Sequence, residues 1–207
     1  MDLLLVSGFM ADTTLWDEVR GPLSAMATLH LRDLREGATL EEMARQAPDR
    51  ITALILIATS SRGDTPAQAE AKAASLRALA SSSGPFLGLS RGAVATSLHP
   101  DRARDEALIA RIRAMGVGLG REAFVRQSSI GRAGDADRLG ALACPTLVVA
   151  AREDRLRSLA EAEELRDGIP GAQLRIIERC GHMIPLEQPE ALAAAMGEWL
   201  RSLPSPA

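Results

Sequence analysis

Short, nearly continuous apolar runs alternate with helical patterns along this chain, and that alternation constrains the fold more than any other feature. Leu3–Val6 is a buried-strand run that ends in the loop Ser7-Gly8-Phe9. Leu15, Trp16, Val19, Leu23 and Met26 then recur at helical spacing from about Thr13 to Ala27. Leu29 and Leu31 alternate around His30 as a second strand. Thr39-Leu-Glu-Glu42 is a capping box, and it opens a helix that runs to about Ala47, before Pro48. Ile51–Ala58 is apolar almost throughout, as a strand covered on both faces should be. Strands are read again at Thr146–Ala151 and Gln173–Glu178, separated by a helix that starts at the capping box Ser158-Leu-Ala-Glu161 and ends at Gly168. Pro189–Leu203 closes the chain as a helix burying Leu192, Met196, Trp199 and Leu200. The pattern predicts an α/β fold: a mostly parallel sheet flanked by helices.

The alternation is interrupted once. Residues 63–142 hold no convincing strand, and their Ala-rich stretches Ala67–Ala80 and Arg104–Met115 have helical composition. The expected division is a core of residues 1–62 and 143–207 carrying a helical lid or cap insert at 63–142. A length of 207 residues suits one such domain. The net charge of −3 gives no basic field, so nucleic acid and anionic membranes are not expected partners. No apolar run approaches the length of a membrane span. The N-terminus lacks the basic region of a signal peptide, and the two cysteines, Cys144 and Cys180, make no disulfide framework. A cytoplasmic location is the expectation. His30 and His99 have no ligand-spaced companions, so neither metal nor other cofactor is expected.

In parallel sheets the site lies beyond the carboxyl ends of the strands. Three polar sets stand there: Ser7-Gly8-Phe9, Arg152-Glu153-Asp154 and Cys180-Gly181-His182. A loop carboxylate followed, one strand later, by a loop histidine suits an acid–base pair in which the carboxylate orients the imidazole. The competing reading of His182 is a histidine that merely caps or solvates its loop.

These segments resemble the α/β-hydrolase fold family of serine hydrolases and esterases. Leu-Leu-Leu-Val-Ser-Gly-Phe-Met10, with Trp16 downstream, looks like that family's first strand and oxyanion loop. Cys144-Pro-Thr-Leu-Val-Val-Ala-Ala-Arg-Glu-Asp154 looks like its acid-bearing strand. The stretch Ile169–His182, followed by Pro-Leu-Glu-Gln-Pro-Glu190, looks like its last strand and histidine loop. Ala47–Thr59 resembles the strand after the nucleophile helix. The resemblance implies Asp154 as triad acid, His182 as base and the Phe9 backbone N–H as an oxyanion donor. Ser7, Gly8 and Met10 become substrate-binding positions. Small carboxylic esters, lactones or thioesters are the implied ligands.

One part of the pattern is missing. The family places its serine on a Gly-x-Ser-x-Gly turn between a strand and a helix, ahead of the acid and the base. That turn belongs between the Thr39 capping box and the Ile51 strand, where only Glu42–Arg50 intervene. A strand, the turn and most of a helix, about two dozen residues by comparison with a βα unit, are absent. A Gly-x-Ser-x-Gly does occur at Gly88–Gly92, but no strand precedes it and it lies inside the helical insert, so Ser90 is a poor nucleophile candidate. Ser60, Ser61 and Cys180 are weaker still. The alternatives to a working hydrolase are a catalytically inactive binding or scaffold protein of the same fold and a non-functional deletion product. Five strands are expected, and either Leu3–Val6 pairs directly with Ile51–Ala58 or the sheet is divided.

Overall fold

The computed structural model describes residues 1–33 and 51–204. The Thr39 capping box and the helix read after it lie outside the described residues. Five strands are present among the described residues: β1 (Asp2–Ser7), β2 (Thr28–Asp33), β3 (Leu54–Ile57), β4 (Thr146–Ala151) and β5 (Gln173–Ile177). The sheet is divided. β1 and β2 form one parallel pair, and β3, β4 and β5 form a second parallel sheet in that order. The registers run from Asp2↔Thr28 to Ser7↔Asp33, from Leu54↔Thr146 to Ile57↔Val149, and from Leu147↔Gln173 to Ala151↔Ile177.

β3 is shorter than the Ile51–Ala58 run that announced it, and its neighbour supplies the reason. Its ladder with β4 begins where the Leu54 N–H meets the Pro145 carbonyl. Pro145 has no N–H to extend the ladder backwards. At the other end the backbone leaves the strand at Ala58, whose φ is 48°.

β4 is buried at all six positions. Leu147, Val149 and Ala151 enter one core with Leu5 of β1, and Val148 and Ala150 enter a second with Leu54 and Leu56 of β3. The first core is closed by α1 (Asp17–Ser24), which follows a 3-10 turn at Thr13–Trp16, and by the C-terminal helix. The insert contributes α2 (Pro66–Ala80), α3 (Arg91–Ser97) and α4 (Glu106–Ser129). Of these, α4 extends far beyond the Arg104–Met115 stretch visible in the composition. It bends at Gly120 (φ 85°), a conformation open to a residue without Cβ. Leu108, Ile109, Ile112 and Met115 of α4 reach the first core, and Arg111 pairs with Glu18 of α1. α5 (Leu159–Gly168) starts at the Ser158–Glu161 capping box and covers the second core with Ala162 and Leu165. A short α6 (Ile184–Glu187), not foreseen in the sequence, precedes α7 (Pro189–Ser202). Leu192, Met196, Trp199 and Leu200 of α7 are buried as their spacing predicts, and α7 packs on α1. This α1–α7 contact ties the two sheets together on one side.

Leu23 of α1 is fully buried at this junction. Leu23→Ala should cost about 2–5 kcal/mol of stability, the range for truncating a buried leucine. Urea denaturation measures it, and an unchanged midpoint would show that α1 does not close the core.

Candidate active site

The loops after β1, β4 and β5 gather at one end of the sheets. Among the described residues, three that are not glycine have positive φ: Met10 (54°), Ala58 (48°) and Arg179 (53°). All three lie within three residues of a strand's C-terminal end, where β1, β3 and β5 turn sharply. Each such residue costs on the order of 1–2 kcal/mol, so the surrounding bonds must hold these loops in place.

Asp154 sits in the loop after β4. Its Oδ1 accepts the N–H groups of Leu156 (2.7 Å) and Arg157 (3.0 Å). Its Oδ2 lies 2.8 Å from Nδ1 of His182. The carboxylate side chain is 1% exposed and the imidazole 27%. The aspartate is thus fixed by two backbone donors, and the ring is fixed by the aspartate, with its other nitrogen, Nε2, left for chemistry. The expected pair of loops is brought together.

Four further anchors hold the histidine loop. His182 N–H donates to the Ser97 carbonyl at the end of α3 (2.7 Å). Gly181 N–H donates to Glu187 Oε1 (3.0 Å), and the other oxygen of Glu187 accepts the N–H of His99 (2.7 Å). Cys180 N–H donates to Glu153 Oε2 (3.0 Å), while Glu153 N–H returns a bond to the Cys180 carbonyl (3.0 Å). Gly181 is pressed against the backbone of the insert. A Cβ there would stand 2.5 Å from His99 N and from the Leu98 carbonyl carbon. His182 and its loop are therefore braced jointly by the neighbouring Asp154 loop and by the helical insert.

The loop after β1 is organised from inside. Ser7 is fully buried; its hydroxyl donates to the Asp12 carbonyl (2.7 Å) and accepts the Trp16 indole N–H (3.0 Å). Met10 is also buried, and its N–H donates to Gln127 Oε1 of α4 (2.8 Å). Ser7 and Met10 thus hold the loop with atoms that the sequence reading reserved for a ligand, whereas Gly8 is exposed. The Phe9 side chain is 50% exposed and tilts against Phe124, with ring centroids 6.0 Å apart. Its backbone N–H has no acceptor among the described residues.

No hydroxyl or thiol among the described residues is hydrogen-bonded to Nε2 of His182. Ser90 is exposed and caps α3, accepting the Ala93 N–H (3.1 Å). His182 is bonded at the opposite end of that helix, seven residues or about 10 Å away along its axis. No strand precedes Gly88–Gly92. Ser60 is buried, and its hydroxyl accepts the Arg62 N–H (3.1 Å). Ser61 is buried, and its hydroxyl has no hydrogen-bond partner among the described residues. The Cys180 thiol donates to the Gly181 carbonyl, and burial pushes its pKa up, away from a reactive thiolate.

The sequence model of the alpha/beta hydrolase family matches residues 25–195. The chain belongs to this family. Monoacylglycerol lipase abhd6-A of Xenopus laevis is 32% identical over 69 residues, which are 33% of this chain and 20% of that protein. A 2-hydroxy-6-oxononadienedioate/2-hydroxy-6-oxononatrienedioate hydrolase of Cupriavidus pinatubonensis is 38% identical over 63 residues, 30% of this chain and 22% of that one. The match thus spans about a fifth of the curated relatives. Among solved structures, a thermophilic esterase from Thermogutta terrifontis superposes with a TM-score of 0.76 at 26% identity, covering 97% of this chain and 89% of that one. The enol-lactonase of Burkholderia xenovorans gives a TM-score of 0.78 at 18% identity, covering 97% and 91%.

Sequence reasoning named Glu153 only as a member of the Arg152-Glu153-Asp154 set and did not single out Glu187, Ser97 or Gln127. Glu187 left a trace, as a lone carboxylate after the apolar Met183–Leu186. Gln127 left none, because its partner Met10 is 117 residues away.

Gly181→Ala forces a Cβ into backbone and should cost about 3 kcal/mol, the upper part of the overpacking range, as measured by urea denaturation. Glu187 yields a test by pH. Burial raises its pKa above the ordinary glutamate value. A raised carboxyl contributes stability that is complete below the unfolded value and is lost as pH rises through the folded one. Glu187→Gln should therefore flatten the decline of Tm with pH above the ordinary glutamate value. An unchanged slope would show that Glu187 does not titrate in the folded chain.

Proposed function

We propose that this chain retains the acid–base half of an ester hydrolase, binds a small ester or lactone beneath its helical insert, and hydrolyses it only at a trace rate. The observation that carries this reading is the Asp154–His182 pair at 2.8 Å, with no nucleophile bonded to the other ring nitrogen among the described residues. The printed names of the similar proteins include an esterase, an enol-lactonase and a lipase, which favours a carboxylic ester or lactone as ligand. Residues 63–142 act as the cap in this reading. The bonds from the end of α3 to His182 and from α4 to the Phe9 loop support that role.

The residual reaction runs through water. His182 Nε2 takes a proton from a water molecule as its oxygen attacks the ester carbonyl carbon. The carbonyl oxygen gains the negative charge and accepts the Phe9 N–H. Collapse of the tetrahedral intermediate expels the alkoxide, which takes the proton back from the imidazolium. Asp154 holds the ring and stabilises it while charged. A water route with one oxyanion donor forgoes the covalent intermediate that gives serine hydrolases their rate. Loss of the nucleophile alone costs on the order of 10⁶ in turnover.

An activated short-chain ester tests this with the purified chain. Turnover should be a trace over buffer, Ser90→Ala should leave it unchanged, and His182→Ala should lower it by about 100-fold, the size of a general-base effect. A serine-directed fluorophosphonate should leave the chain unlabelled. Ordinary enzyme rates abolished by Ser90→Ala would make Ser90 a relocated nucleophile and overturn the reading. Fluorophosphonate labelling elsewhere would move the nucleophile to Ser60 or Ser61.

A further inference from the structure

We infer that the three phenylalanines of this chain form a wall that receives the acyl side of the ester and selects an apolar acyl chain. The inference rests on the proposed ester binding and names the substrate class at that same site.

The chain holds three phenylalanines, two tryptophans and no tyrosine. An aromatic side chain can bury about 150–250 Å² and dominates the core it joins. Both tryptophans are buried in this way, but no phenylalanine joins either core. Phe9, Phe86 and Phe124 meet one another instead. Phe124 pairs with both of the others, at ring-centroid distances of 6.0 Å to Phe9 and 5.5 Å to Phe86 and interplanar angles of 56° and 50°. Leu87, beside Phe86, is 64% exposed, and Val117 of α4 is exposed too. A scarce resource for core packing thus stands at the surface, joined by aliphatic side chains, which is the mark of a binding face.

The wall comes from three segments, and each is pinned. Phe9 lies in the loop after β1, where the N–H of the next residue, Met10, donates to Gln127 of α4 (2.8 Å). Phe124 precedes Gln127 by three residues, so one face of α4 both fixes that loop and presents the middle ring. Phe86 stands in the segment before α3, which guanidiniums of α4 hold by its carbonyls. Arg113 donates to Leu87 (3.2 Å) and Leu89 (2.9 Å), and Arg121 donates to Ser82 (3.0 Å) and Gly84 (3.2 Å). The segments converge at Gly116, where a Cβ would touch Met10 at 3.6 Å and Gly88 at 3.7 Å. The rings are set before a ligand arrives, so binding does not have to order them.

Phe9 brings the wall to the reacting carbonyl. Its backbone N–H has no acceptor among the described residues, and its ring is half exposed. A carbonyl oxygen accepted by that N–H leaves two substituents to be placed. The departing alkoxide takes its proton from His182, so the alkoxy side turns to the imidazole. The 3-10 turn that ends the Phe9 loop packs against α6, which begins two residues after His182, so the two loops are neighbours. The acyl side is left to the rings. Arg113 and Arg121, which hold the wall's segments, are engaged by backbone carbonyls. An acyl group ending in a carboxylate would therefore lose water there without gaining a partner, whereas an apolar chain gains burial.

Three phenylalanines and no tyrosine make the wall directly observable by NMR. The full 207-residue chain, labelled at its phenylalanine amides and rings, is titrated with methyl propanoate, methyl hexanoate and pentyl acetate. The last two are isomers that carry the same alkyl chain on opposite sides of the ester group. Methyl hexanoate should shift all three rings together with the Phe9 amide. It should bind about tenfold or more tighter than methyl propanoate, since each methylene fully removed from water gains about fourfold. Pentyl acetate should shift the Phe9 amide and leave the Phe86 and Phe124 rings in place. Phe86→Ala, outside both cores, should shrink the affinity ratio of the two methyl esters by about threefold or more. Equal affinity for the two methyl esters, both shifting the Phe9 amide, would overturn the wall and leave ester binding standing. Ring shifts from pentyl acetate as large as those from methyl hexanoate would overturn the assignment to the acyl side. A Phe9 amide silent to every ester would remove ester binding and the wall with it.

Discussion

β4 is the constraint on which the rest depends. It is the one described strand with neighbours on both edges and cores on both faces, and all six of its residues are buried. Leu147, Val149 and Ala151 serve one core while Val148 and Ala150 serve the other, so its register fixes both at once. A slip of one residue would exchange the two sets. Asp154 comes three residues after this strand and inherits its rigidity. The Asp154 carboxylate, held by two amides of its own loop, then orients His182 from the next strand.

The site is held together by bonds that no single segment could supply. The His182 loop leans on Glu153 from the Asp154 loop, on Glu187 from α6 and on Ser97 from α3. The loop after β1 leans on Gln127 from α4. Strain at Met10, Ala58 and Arg179 falls at the same end of the sheets, where backbone turns sharply and long-range bonds over-determine its path. The insert is therefore part of the site's framework: it supplies the acceptor for His182 N–H and the closest neighbours of Gly181.

The two sheets share no ladder, yet Asp154 and His182 stand 2.8 Å apart, because they follow the adjacent strands β4 and β5 of one sheet. Side-chain packing spans the division where backbone bonding does not. Leu5 of β1 and Val149 of β4 share a core, and α1 and α7 pack across it. Apolar burial needs only proximity, whereas ladder bonds need a strand at one fixed spacing.

The sequence by itself determined the strands, most helices and the two loops that bring Asp154 and His182 together. Periodicity and capping are local: Ser158 and Glu161 close their capping box in the same four residues that announce it. The apolar β4 run needs no partner to be recognised. Residue order around Asp154 and His182 carried the family resemblance, and the absence of a Gly-x-Ser-x-Gly turn before the Ile51 run was legible too. Tertiary structure alone decided the rest. That β1 pairs with β2 while β3 pairs with β4, leaving the sheet divided, is a matter of long-range packing that no local pattern encodes. Ser7 turned inward because Asp12 and Trp16 fold back to meet its hydroxyl. Ser90 was placed as a helix cap at the far end of α3 from His182, a fact of distance and not of motif. Glu187 and Gln127 became anchors through contacts between segments remote in sequence, and such contacts form only when the whole chain has packed.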